Sequence, residues 1–156
     1  MSIGNTISLT SPDTDTIRAD VLGNYGRGIP QATSAPNGNY VNASLSSVIE
    51  GGDISYNATV KGFDIPDGAV VEITATLKDL GGSASPYVRF ATGSANSTSI
   101  ISGLDETDLS ASNTKIFQGV YENNTGGVLT ISAGVFGSGN TGNLLAGGYL
   151  MVRKIN

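Results

Sequence analysis

Residues 68–78 read GAVVEITATLK, and this run constrains the fold more than any other part of the chain. Val71, Ile73, Ala75 and Leu77 recur at a spacing of two, and Val70, Glu72, Thr74 and Thr76 fill the alternate positions. A period of two belongs to a half-buried strand, because successive side chains of a strand point to opposite faces. Val, Ile and Thr are stiff at χ1 and fit a pleated surface better than a helix. One face of this strand is therefore expected to join a core, and the Glu/Thr face to meet water.

The same kind of pattern returns along residues 49–156. Residues 53–61 alternate Ile54, Tyr56, Ala58 and Val60, and 62–68 (GFDIPDG) reads as a turn. A strand is expected at 86–92, with Val88 and Phe90 opposite Tyr87, Arg89 and Ala91, and another at 97–102 around Ile100 and Ile101. After a polar loop at 103–113, residues 114–122 set Phe117 and Tyr121 opposite Ile116 and Val120. The NNTGG at 123–127 reads as a hairpin turn, since Asn and Gly tolerate the positive φ that tight hairpins need. Strands at 128–136 and 148–155 complete the set. About seven short strands bounded by Gly, Asn, Asp or Pro, with no helical periodicity, predict an all-β chain: an antiparallel β-sandwich of jelly-roll type.

Residues 1–48 differ. Ile3, Ile7 and Leu9 give one short alternation that SPDTDT breaks, and GNYGRGIPQATSAPNGNY follows. Gly, Pro, Ser and Asn fix little backbone by themselves. The segment is expected to be an extended, mostly irregular N-terminal arm lying on its own body or on a partner, with residues 49–156 forming the sandwich.

Composition narrows the function classes. The 156-residue chain has a formal net charge of −5 with only 8 Lys+Arg, so it lacks the basic surface that nucleic-acid binding needs. It has no Cys and no His. Disulfides, thiolate metal sites and a Ser-His-Asp triad are excluded, and the commonest general acid/base is missing. The start carries no basic-then-apolar signal pattern, and no apolar run is long enough to span a membrane. The expectation is synthesis in the cytoplasm and no membrane partner.

Asp105, Glu106 and Asp108 lie together in the 103–113 loop but lack the spacing of a calcium loop, so no metal is expected. A glycosidase needs two carboxylates across a cleft; only Glu72, with Thr neighbours along its face, has a setting that could raise its pKa. No enzyme activity, catalytic residue or cofactor is expected. Tyr87, Arg89, Tyr121 and Tyr149 are candidate glycan contacts, since rings on a sheet can stack on sugars.

The runs ISYNATVKG…GAVVEITATLKD and TKIFQGVYENNTGGVLTISAGVFGSGNTG, closed by GYLMVRKI, resemble the jelly-roll domains of carbohydrate-binding modules and of bacteriophage virion proteins. The resemblance covers about residues 49–156. It implies a structural virion protein, a capsid decoration or cement protein or a fibre head, whose partner is the major capsid protein or another virion protein. It also implies a homo-oligomer, with a trimer the expected count. A carbohydrate-binding adhesion or receptor-binding module is the alternative. On the virion reading, Ile7, Leu9, Tyr25 and Ile29 are apolar anchors of the arm, and Arg18 and Arg27 meet acidic neighbours.

Overall fold

The computed structural model describes residues 23–79, 87–94, 96, 101, 107–108, 114–137, 139 and 141–156. Its strands, in chain order, are β1 (Tyr25–Pro30), β2 (Thr33–Ala35), β3 (Tyr40–Asn42), β4 (Leu45–Gly51), β5 (Ser55–Asn57), β6 (Gly62–Ile65), β7 (Val70–Asp79), β8 (Tyr87–Thr92), β9 (Thr107–Asp108), β10 (Thr114–Glu122), β11 (Leu129–Phe136) and β12 (Gly142–Lys154). No helix occurs among the described residues. The strands form two six-stranded sheets. Sheet I runs β10-β7-β12-β1-β4 with β2 also on β12, and sheet II runs β5-β6-β11-β8-β9 with β3 also on β11. All the strand pairings are antiparallel, and the two sheets pack as a jelly-roll sandwich.

The core lies between the sheets. Val71, Ile73, Ala75 and Leu77 of β7 are fully buried, as their alternation predicts. They meet Phe63 and Ile65 of β6, Phe90 of β8, Ile131, Ala133 and Val135 of β11, and Leu150 and Val152 of β12. Phe90 and Phe117 close one part of the core edge to face, with ring centroids 5.1 Å apart. Burying a side chain of this size contributes about 1.5–3 kcal/mol each, which lets a chain without disulfides hold its fold.

Three local expectations change. Residues 62–65 are not part of a turn: they form β6, inside sheet II, and only 66–69 turns. The alternation over 53–61 stops at Asn57, whose side-chain Oδ1 accepts the N–H groups of Thr59 and Val60 at 3.1 and 3.0 Å. That local capture bends the chain, and Lys61 takes a φ of 63°. Residues 123–127 are not a hairpin turn, because β10 lies in sheet I and β11 in sheet II. The segment is a crossover between layers, tied to the other crossover at 66–69. Asn123 is fully buried at this joint. Its Nδ2 donates to the carbonyls of Ile65, Pro66 and Gly127 at 3.1, 3.0 and 2.8 Å, and its backbone exchanges bonds with Gly68 and Ala69. The strand expected at 97–102 lies outside the described residues except at Ile101, which is buried in the core.

The boundary of the arm also moves. Residues 1–22, with the expected contacts Ile7, Leu9 and Arg18, lie outside the described residues. Residues 25–48, however, belong to the sandwich. β1 is an interior strand of sheet I, paired to β12 on one side and β4 on the other. Its core side carries Gly26 and Gly28, followed by the buried Pro30, which pairs with the core residue Leu45. A Cβ on Gly26 would stand 2.5 Å from Phe63 and 2.8 Å from Ile54, and one on Gly28 would stand 2.8 Å from Leu45. Neighbouring side chains fill the space that β1 leaves, so the strand shows no apolar alternation of its own.

Candidate docking face

Antiparallel register places directly paired residues on the same face of a sheet, with Cβ atoms close enough to touch. On sheet I the face away from the core can therefore be read row by row. One row is Ile116 of β10, Thr76 of β7 and Tyr149 of β12. The next is Gln118, Thr74, Met151, Arg27 and Ile49. The third is Val120, Glu72, Arg153, Tyr25 and Gly51. Five strands thus contribute to this face, which is exposed at its β10 margin and buried at Tyr25.

Its β10 margin is apolar and exposed: Ile116 is 76% and Val120 61% accessible. Among the described residues β10 is the end strand of sheet I, so these two side chains stand on an edge strand, the kind of position where another chain can add to a sheet. Toward the middle, the Arg27 guanidinium carbon lies 5.3 Å from the centre of the Tyr149 ring, within cation–π range. No carboxylate pairs with Arg27 among the described residues. Tyr149 reaches this position because β12 carries two extra residues between Leu145 and Tyr149. Gly148 makes the detour possible: its φ is 71°, and a Cβ there would fall 1.9 Å from the Thr76 carbonyl oxygen.

Glu72 is not a raised-pKa acid. The Gln118 amide donates to its Oε1 at 3.0 Å and Arg153 Nη2 to its Oε2 at 2.5 Å. Gln118 first, then Arg153, hold the carboxyl below its ordinary range. A carboxylate so held stays ionised and has no proton to donate to a leaving group.

The sequence-derived contact residues divide. Tyr25, Arg27 and Ile29 occupy alternate positions of β1 on this face, with Tyr25 buried and the other two half-buried. They lie on a strand of the body rather than in a loose arm. The candidate glycan contacts do not converge. Tyr149 is on the open face, while Tyr121 pairs with Val71 and packs against the core from the opposite face. Burial pushes the Tyr121 hydroxyl pKa up. The backbones of Tyr87 and Arg89 lie in sheet II, paired with Phe136 and Gly134. Asp105 and Glu106 lie outside the described residues, and Asp108 pairs with Tyr87 in β9. Ile116 and Val120 carry the face yet stand out in the sequence only as the second apolar set of an alternating strand.

A second concavity lies at sheet II. It has a volume of about 350 Å³ and is lined by Pro36, Gly38, Asn39, Tyr40, Val41 and Asn96. Nearby Asn42 is fully buried; its N–H donates to Asn96 Oδ1 at 3.2 Å and its Nδ2 to the Val60 carbonyl at 2.8 Å. Its Oδ1 has no hydrogen-bond partner among the described residues. No cluster of three potential metal ligands occurs among the described residues.

No protein-family model matches the chain, and no curated protein matches it by sequence. Among solved structures it is similar to murine APRIL, at 12% identity and a TM-score of 0.58, over 85% of this chain and 98% of that one. It is also similar to the CBM22-1 xylan-binding domain of Paenibacillus barcinonensis Xyn10C, at 15% identity and a TM-score of 0.44, over 81% and 86%. At such identities the likeness to APRIL supports the jelly-roll fold and nothing finer.

Proposed function

We propose that this chain is a structural, non-catalytic assembly module of a bacteriophage virion, docked through the open face of sheet I. The observation that carries the reading is the exposed Ile116–Val120 margin running into the Arg27–Tyr149 stack. Aromatic and Arg side chains framed by apolar residues are the usual anchors of protein interfaces. The absence of His and Cys from the sequence and the pinned, ionised state of Glu72 support the non-catalytic part. The virion assignment rests on the resemblance of residues 49–156 to virion jelly rolls.

Magnitudes say how the face must be used. Fully burying Ile116 and Val120 contributes roughly 3–6 kcal/mol, at about 1.5–3 each. Association costs about 4–15 kcal/mol in lost freedom. The margin alone does not hold a partner. The whole face, or several copies engaging together, is needed, which fits a homo-oligomer such as a trimer set on a capsid or fibre.

The test is co-sedimentation of the full chain with empty capsids, beside analytical ultracentrifugation of the chain alone. The double variant Ile116→Asp/Val120→Asp should keep its β circular dichroism and lose both capsid attachment and self-association. Attachment and oligomeric state unchanged in the folded variant would refute the docking face.

A second reading, a carbohydrate-binding adhesion module, is supported by the sheet II concavity with its Asn39, Tyr40 and Asn96 lining. Saturable binding on a glycan array that disappears in Asn39→Ala would favour it; retention in that variant would place any glycan elsewhere.

A further inference from the structure

We infer that Asn37 is a self-modification site, an Asn-Gly pair that converts to aspartate or isoaspartate when its bridge to Gly137 opens. Asn37-Gly38 is the one Asn-Gly pair in the sequence. Both residues are exposed. They are the central residues of a turn closed by the Asn39 N–H donating to the Pro36 carbonyl at 3.0 Å. Gly38 has a φ of 77°, and beyond its two chain neighbours no heavy atom lies within 4 Å of where its Cβ would be. That pattern is a type II turn, which needs glycine at its third position.

The chemistry requires only these two residues and water. The backbone nitrogen of Gly38 attacks Cγ of Asn37. A C–N bond forms, the Cγ–Nδ2 bond breaks, and ammonia leaves with the proton that Gly38 gives up. Water then opens the five-membered imide at either carbonyl. One product carries an ordinary aspartate in place of Asn37; the other places the side-chain carbon in the main chain. Glycine at 38 leaves the attacking nitrogen unshielded.

The fold restrains this step. The Gly38 N–H donates to the Gly137 carbonyl at 2.7 Å, so the nitrogen that must lose its proton is held as a donor. The Gly137 N–H donates back to the Asn39 carbonyl at 3.1 Å, and Asn39 Nδ2 donates to the Asn37 carbonyl at 3.2 Å. Asn37 and Gly137 form the isolated bridge that precedes β3. Reaction must wait for local opening, which needs far less free energy than global unfolding. The product adds one negative charge at the rim of the sheet II concavity. In its isoaspartyl form it also lengthens the backbone just before Tyr40, opposing the Tyr40–Phe136 register.

The test incubates the full chain at mildly alkaline pH and locates isoaspartate by peptide mapping. A synthetic peptide of residues 33–41 is the unfolded reference and Asn37→Gln the control. Conversion should concentrate at Asn37, vanish in the control and run roughly ten- to thirtyfold slower than in the peptide, the factor expected for opening one or two net hydrogen bonds. Adding urea well below the unfolding midpoint should narrow that gap. Equal rates in chain and peptide would remove the gate. Conversion led by another asparagine, or none at Asn37 after the peptide is consumed, would remove the site.

Discussion

β7 and β1 flank the same strand, β12, and both are interior strands of one sheet, yet they are built in opposite ways. β7 fills the core with its own Val71, Ile73, Ala75 and Leu77. β1 presents Gly26 and Gly28, and the space is filled by Phe63 of sheet II, by Ile54 just before β5 and by Leu45 of the adjacent β4. Core volume at a given point can be supplied by either side of the sandwich. Hydrophobic alternation therefore marks strands that give volume to the core and passes over strands that receive it.

Deleting residues 1–30 should break this pairing outright. It removes β1, strips β12 and β4 of a shared partner and is expected to abolish cooperative folding, seen as loss of a thermal transition. A body that still melts cooperatively would return β1 to the status of an arm. Next, single substitutions should separate donor from receiver. Ile73→Ala should cost about 2–5 kcal/mol through a cavity. Gly26→Val should cost about 1–3 kcal/mol through overpacking against Phe63. Urea denaturation measures both, and a Gly26→Val change within about 0.5 kcal/mol, the level of a neutral surface site, would mean that β1 does not receive core side chains.

On the open face the expected stability changes are smaller. Ile116→Asp should shift monomer stability by no more than about 0.5 kcal/mol while weakening association. The smallest effect is pH-dependent. The Glu72 carboxyl is held below its unfolded pKa, so its contribution is present above the ordinary carboxylate range and is lost as pH falls through the lowered folded value. Both partners of the carboxylate are solvent-accessible, so the contribution is slight. Comparing melting curves of the parent and Glu72→Gln from neutral pH downward should show a shallower acid decline in the variant.

The donor strands were legible because each sends an alternating set of apolar residues to the core: β7, β8, β10, β11 and the second half of β12. β6 was hidden by its length. GFDI offers only Phe63 and Ile65 between turn-forming residues, although both are fully buried. β1 was hidden by its glycines, which in sequence look like a flexible linker. The crossover at 123–127 was hidden because Asn and Gly serve a hairpin and a change of sheet equally well; Asn123 distinguishes them only through partners more than fifty residues away. The candidate face was legible residue by residue and not as a surface. Arg27, Ile29 and Tyr149 carry the signal of contact residues in the sequence, but their meeting with Ile116 depends on four strands in register.

The position of β12 has a consequence in time. It is the last strand in chain order and the middle of sheet I, seated between β7 and β1. Its partners along Tyr25–Arg153 and Glu72–Arg153 lie far back in the sequence. Until β12 arrives, β10-β7 and β1-β4 are two separate ribbons with their facing edges open. Closing contacts of such long range comes late and slowly. The waiting ribbons offer unpaired edges to other chains. Assembly of this molecule is thus expected to be gated by the insertion of its final strand, and newly made chains are most exposed to mispairing just before that event.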